Sequence, residues 1–225
     1  MPIVAVMNAK GGSGKSTTAL ILATEMARRG ARVLMLDCDP NQPLVLWAAA
    51  GGQPVSVEGS ITDSALVPIL DREASARDLL LVDLEGTANR MASRALSRAD
   101  LALVPMQPTA LDAVEAHRTL AVIREEEQIQ RRAIPARIVL TRTLMVASRD
   151  ERAILRELDA KAIPRLATGI VQRAPFAALF SQRTTLDRMQ PDQVSGLDQA
   201  KANAAKLADE LVAILKSLVV GRAAA

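Results

Sequence analysis

The sequence predicts an α/β domain: a mostly parallel, twisted sheet with helices on both faces. Three observations carry that expectation. Short aliphatic runs alternate with stretches of helical period along the chain, as strand–helix units feeding a parallel sheet require. Apolar residues make up 49% and aromatics only 1%, so the core is built from Leu, Val, Ile, Ala and Met, the side chains of doubly covered strands. The polar residues that end the aliphatic runs fall at their carboxyl ends, the edge where open parallel sheets bind ligands.

The elements follow in order. Residues 3–7 read as a short buried strand, followed by a glycine-rich loop. Residues 16–29 read as a helix with Ala19, Leu22, Ala23 and Met26 on one face, and Gly30 ends it as glycine does just past a helix. A second strand, 33–36, ends at Asp37-Cys38-Asp39-Pro40. Residues 51–64 are Gly-rich and polar and read as a loop. Strands at 79–82, 101–104 and 138–140 end at Asp83, Pro105 and Thr141-Arg142. Helices are expected at 109–127, 148–160 and 195–219, an irregular stretch at 181–196 and a frayed tail at 221–225. No linker, repeat or low-complexity tract interrupts them, so residues 1–225 read as one domain.

Composition narrows the function classes. The single cysteine, Cys38, excludes an internal disulfide and a Cys-cluster metal site and agrees with a reducing cytoplasm. No charged-then-apolar leader opens the chain, so a cleaved signal peptide is not expected. No apolar run approaches the roughly 20 residues of a membrane span. Net charge is +3, with 22 Arg against 6 Lys, and eleven of the arginines lie between Arg131 and Arg188. Arginine pairs well with phosphate. A basic face for nucleic acid and a solvated, salt-bridged surface both remain open on composition.

The strongest signal is Ala-Lys-Gly-Gly-Ser-Gly-Lys-Ser-Thr at 9–17, between a strand and a helix as a phosphate loop requires. Gly11, Gly12, Ser13 and Gly14 form the turn whose N–H groups can face phosphate oxygens, and the helix start adds its positive dipole end. Lys15 is expected at the β- and γ-phosphates, Ser16 on Mg²⁺ through its hydroxyl and Thr17 at the α-phosphate. The chain therefore reads as a single-domain P-loop NTPase using ATP and Mg²⁺.

Ala9 stands where the ordinary pattern has glycine, and Lys10 adds a second lysine. Lys-Gly-Gly-x-Gly-Lys-Ser/Thr is the deviant Walker A motif of the ParA/MinD superfamily, which this chain resembles from residue 2 to about 217. The resemblance implies an ATP-bound homodimer in which Lys10 reaches the partner's phosphates. Physically, a second cation offsets charge on a transferred phosphoryl group, as an arginine finger does.

Asp37 and Asp39 straddle Cys38. In extended chain both side chains point one way, toward the phosphates and the metal; two turn-capping aspartates are the alternative. The segment Asp-Cys-Asp-Pro-Asn-Gln-Pro resembles the family's switch I, which implies that Asp39 orients the attacking water and Asp37 supports the magnesium shell. Asn41 stands where the family often has glutamine. Asp83, after four aliphatic residues, matches Walker B and would hold a magnesium-bound water. Its continuation Leu84-Glu85-Gly86-Thr87 departs from the family's, though Gly86 can pivot a second switch. The resemblance also puts Thr141, Arg142 and Gln172 near the adenine base; Phe176 lies close in sequence, with core packing as its alternative. Trp47 and His117 read as packing or surface residues.

The leading function is a short ParA-type partition ATPase. It would bind DNA without sequence preference when ATP-bound, associate with the nucleoid and be stimulated by a ParB-type centromere-binding or adaptor protein. Arg149, Arg152 and Arg156 share a helix face at three- and four-residue spacing and are candidates for that contact. The run through Trp47 also resembles the ParA-like ATPase of T-DNA transfer. A MinD-like membrane-associated ATPase would need an amphipathic anchor, whereas residues 211–220 look like a packed final helix with no stable membrane insertion. A nitrogenase-reductase-like carrier would need two cluster cysteines. A ligase of this fold would need a substrate pocket that the sequence does not display.

Overall fold

The computed structural model describes residues 1–86 and 90–223, with side chains through residue 220. Six strands form one sheet: β1 (Ile3–Val6), β2 (Val33–Cys38), β3 (Ser56–Glu58), β4 (Leu79–Leu84), β5 (Leu101–Met106) and β6 (Ala136–Leu140). Their order is β3-β2-β4-β1-β5-β6, and every pairing is parallel. The helices are α1 (Lys15–Arg28), α2 (Pro43–Ala48), α3 (Asp63–Glu73), α4 (Arg90–Leu96), α5 (Ala110–Gln130), α6 (Arg149–Ala160), α7 (Ala174–Ser181) and α8 (Leu197–Ala223).

Strand alternation sorts the core into two layers. Val4 and Val6 of β1, Val33 and Met35 of β2, and Leu79 and Leu81 of β4 pack with α1, α2, α7 and α8. The intervening Ile3 and Ala5, Leu34 and Leu36, and Leu80 and Val82 pack with α3, α4, α5 and α6. A period of two divides each strand's side chains between the faces, and apolar residues at both phases mean both faces are covered. Trp47 of α2 is fully buried in the first layer, and its indole N–H donates to the Thr184 carbonyl at 2.9 Å, so the packing role expected for it is what the fold uses.

Helix ends follow the sequence. Gly30 has φ 90°; its N–H donates to the Ala27 carbonyl, and that of Ala31 to Met26, the paired bonds of a glycine-terminated helix. Leu211 and Leu215 of α8 are core and Leu218 packs against it, while Val219 and Val220 are exposed. Among the described residues no helix is long and apolar enough to cross a membrane.

One expectation is corrected. Within the stretch expected to be a loop, Ser56–Glu58 forms β3, pairing with Leu34–Leu36. It is a three-residue edge strand with a single apolar residue, Val57, too short to show a period. Between α7 and α8 the chain is irregular, as expected.

The fold leaves an opening at the top of the sheet. Central β1 has β4 on one side and β5 on the other, so the loop after it emerges where the connections diverge, the position at which open α/β sheets place ligands.

Candidate functional site

The loop after β1 is held from beneath by side chains of distant strands and helices. The Asn8 amide donates to the Pro105 carbonyl at 2.7 Å and accepts from the Lys10 N–H at 2.9 Å. The Thr141 hydroxyl donates to the Ser13 carbonyl at 2.7 Å. The Gln107 amide donates to the Gly12 carbonyl at 3.2 Å, and the Ala9 N–H donates to the Thr119 hydroxyl at 3.3 Å. Gly14 caps α1 with φ 101°, and a Cβ there would lie 3.0 Å from Thr141 Cγ2. Both conformation and space therefore require glycine.

Above the loop lies an open cleft of about 580 Å³ lined by Gly11, Gly12, Gly14, Lys15, Ser16 and Thr17 on one side and Asp39, Asn41, Glu85 and Gly86 on the other, with Ala9 and Arg142 completing it. The Lys15 ammonium donates to the Lys10 carbonyl at 3.3 Å, curled over its own loop. Ser13 is fully buried and its hydroxyl has no hydrogen-bond partner among the described residues. Lys10 does not line the cleft; its ammonium lies 2.5 Å from Asp112 Oδ2.

Three aspartates expected at the acidic strand ends are placed differently. Asp83 is 1% exposed, and neither carboxylate oxygen has a hydrogen bond of good geometry. Burial pushes its carboxyl up to about 7, with the nearby Ser16 hydroxyl offsetting part of the rise and the charge of Asp37 adding to it. A buried carboxylate without donors is costly, and a divalent cation or its water shell beside Ser16 is the group that would relieve it. Asp39 is half-buried on the cleft, accepting from the Asn41 N–H at 2.8 Å and the Asn41 amide at 3.0 Å.

Asp37 departs from the expectation that it faces the phosphates. It is buried, and its Oδ2 accepts the N–H groups of Leu44 and Val45 at 2.8 and 3.0 Å. Gln42, at the N-cap of α2, supplies no capping side-chain bond, and Pro43 has no N–H. Asp37 thus satisfies the free donors of α2 from the neighbouring strand, the capping alternative, a contact worth roughly 1 kcal/mol. Burial raises its carboxyl and the backbone N–H groups partly offset that.

A second cavity, about 270 Å³, adjoins the first. Gly14, Thr17, Thr141, Arg142, Gln172 and Phe176 are among its lining residues. The Gln172 N–H donates to the Thr143 carbonyl at 2.9 Å, which fixes that segment beside β6. Thr141, Arg142 and Gln172 are therefore brought together, although the Thr141 hydroxyl is committed to the loop. Phe176 is both core and wall. Glu85 is exposed on the main cleft; Thr87 lies outside the described residues. His117 is exposed on a groove between α5 and α6.

The sequence reading missed Asn8, Gln107, Thr119 and Asp112. Only Asp112 carried a local signal: Thr109-x-x-Asp112 has helix-start spacing, and the Thr109 hydroxyl accepts the Asp112 N–H at 3.2 Å.

Known proteins agree with this architecture. The family model of the CobQ/CobB/MinD/ParA nucleotide binding domain matches residues 4–217. A protein ParA of Rhizobium radiobacter is 37% identical over 222 residues, covering 96% of this chain and 100% of its own. A maintenance of carboxysome distribution protein A of Gloeobacter kilaueensis is 30% identical, covering 93% of each. Among solved structures, the cell division ATPase MinD of Pyrococcus furiosus matches with a TM-score of 0.72 at 18% identity, covering 95% of this chain and 99% of that one, a likeness of fold. The chain belongs to the CobQ/CobB/MinD/ParA nucleotide-binding family and is a ParA-type ATPase.

Proposed function

We propose that this chain is an ATP- and Mg²⁺-dependent switch that pairs as a homodimer, binds DNA without sequence preference and acts in partition of plasmid or chromosomal DNA. The observation that carries the reading is the cleft, with a braced loop on one wall and the unpartnered Asp83 carboxylate beneath the other. Bound Mg²⁺ would neutralise phosphate charge. Lys15 and the loop N–H groups hold the β- and γ-phosphates, and Ser16 and Asp83 hold the metal and its water. Asp39 orients the attacking water; Asn41 fixes one of its oxygens. Thr17, Arg142 and Gln172 surround the rest of the nucleotide, and Lys10 serves the partner's phosphates.

The arginines support DNA as a partner. Arg149, Arg152 and Arg156 are exposed and make no ion pair among the described residues. On α6, Glu151, Ile154 and Leu158 face inward, which leaves Arg149, Arg152 and Arg156 outward. Guanidinium groups without a carboxylate partner remain available to phosphate, although that of Arg152 also donates to the Ala147 carbonyl. The resemblance to ParA supports a ParB-type stimulating partner and association with the nucleoid.

The test is duplex binding with and without ATP. A random-sequence duplex should bind only with ATP, lose affinity steeply with salt and lose roughly tenfold more in Arg152→Glu/Arg156→Glu. Binding that ignores both ATP and salt would remove DNA from the reading.

A further inference from the structure

Lys10 is turned away from the cleft. Its ammonium sits on Asp112, whose side chain is 1% exposed against 36% for Lys10. The same Asp112 oxygen accepts the Thr109 hydroxyl at 2.6 Å, and the other faces the Gln107 N–H at 3.4 Å. Gln107 in turn bonds the loop at Gly12. The start of α5 is therefore docked on the phosphate loop, with Lys10 as the only cation on the buried carboxylate among the described residues. Burial pushes the Asp112 carboxyl up, and the hydrogen bonds from Lys10, Thr109 and the Gln107 N–H, together with the charge of Lys10, more than offset it.

A helix-start role alone accounts for Thr109 and Asp112 but does not require a cation; an asparagine would serve. With Lys10 withdrawn, a buried negative charge would be left on neutral donors, which is strongly unfavourable. Lys10 cannot both hold Asp112 and cross to a partner's nucleotide.

We propose that Asp112 is a holding site for Lys10 that sets the ATP concentration at which two protomers pair. This rests on the cross-subunit role of Lys10 proposed above. Asp112 touches no nucleotide; it is a positioning residue acting through Lys10. Phosphate oxygens of the second copy's ATP compete with the Asp112 carboxylate for one ammonium, and only their higher charge draws it away.

The experiment is a double-mutant cycle of Lys10→Ala and Asp112→Asn, read as dimer fraction by sedimentation against a non-hydrolysable ATP analogue. Asp112→Asn keeps the shape and one acceptor for Thr109. It should pair at about tenfold lower analogue concentration than wild type. Lys10→Ala should pair poorly, and adding Asp112→Asn to it should bring no gain. Pairing of Asp112→Asn that is equal to or weaker than wild type would overturn the holding role, as would the same gain in the Lys10→Ala background. Normal pairing and turnover by Lys10→Ala would instead sink the cross-subunit reading itself. Should Asp112→Asn not fold, Asp112→Ser, a smaller helix-start residue, carries the same comparison.

Discussion

The two walls of the cleft are built on opposite terms. On the loop wall, polar groups other than the Ser13 hydroxyl already have partners: Thr141 on Ser13, Asn8 on Pro105, Gln107 on Gly12. On the acidic wall, Asp83 has no hydrogen bond of good geometry among the described residues, Asp39 is held by its neighbour Asn41, and Asp37 serves α2. A braced loop is ready for phosphate with little reorganisation, the condition under which fixed N–H groups act best. An unpartnered buried carboxylate stores unfavourable free energy that a cation releases. On the proposed function, the difference gives preorganisation to one wall and metal-dependent completion to the other.

The largest effect should come from the braced wall. Lys15→Ala removes its charge and should lower ATP affinity by about 100-fold, measured by calorimetry; retained affinity would mean that the loop N–H groups suffice alone.

Asp83→Asn tests the other wall, with a sign that depends on pH. A carboxyl raised from 3.8 to about 7 favours the fold fully below about pH 4, and that contribution is lost as pH rises through 7. The unliganded wild type should therefore lose stability between pH 5 and pH 8 relative to Asp83→Asn, by at most roughly 2–4 kcal/mol, read from thermal melting. Mg²⁺ with ATP should restore the wild type and not the variant. Parallel melting profiles would break the contrast between the walls.

Thr141→Val leaves the Ser13 carbonyl without its donor, at about 1–3 kcal/mol. ATP affinity should fall about tenfold, with the melting profile shifted equally at all pH values.

Cys38 gives a readout that leaves nucleotide binding untouched. Burial, then the charges of Asp83 and Asp37, push its thiol up to about 12. At pH 8 its alkylation should be roughly 1,000-fold slower than that of a free thiol, and ordinary reactivity would show that the acidic wall is more open to water than its burial implies.

How much of this was legible in the sequence follows from the range of each signal. The phosphate loop, Asp39 and Asp83 are written in contiguous spacing, because a loop and the strand end beside it are local objects. The Lys10–Asp112, Asn8–Pro105 and Thr141–Ser13 contacts span 102, 97 and 128 positions. No period within a window records such pairs; they exist only once β1, β5 and β6 lie side by side. Asp37 shows the intermediate case. Its place at a strand end was legible, but the direction of its carboxylate depends on α2, whose proline-led start leaves two N–H groups for it to satisfy. Edge strand β3 escaped for a different reason: three residues are too few to alternate.

The buried indole of Trp47 has a practical consequence. The chain has one tryptophan and no tyrosine, so emission excited in the indole band, beyond phenylalanine absorption, comes from a single fluorophore. That fluorophore sits on α2, the helix whose start is gripped by Asp37, with its N–H on the Thr184 carbonyl. The protein carries a built-in optical gauge of the segment next to Asp39, and stopped-flow emission can time rearrangement of that segment without a dye or a label.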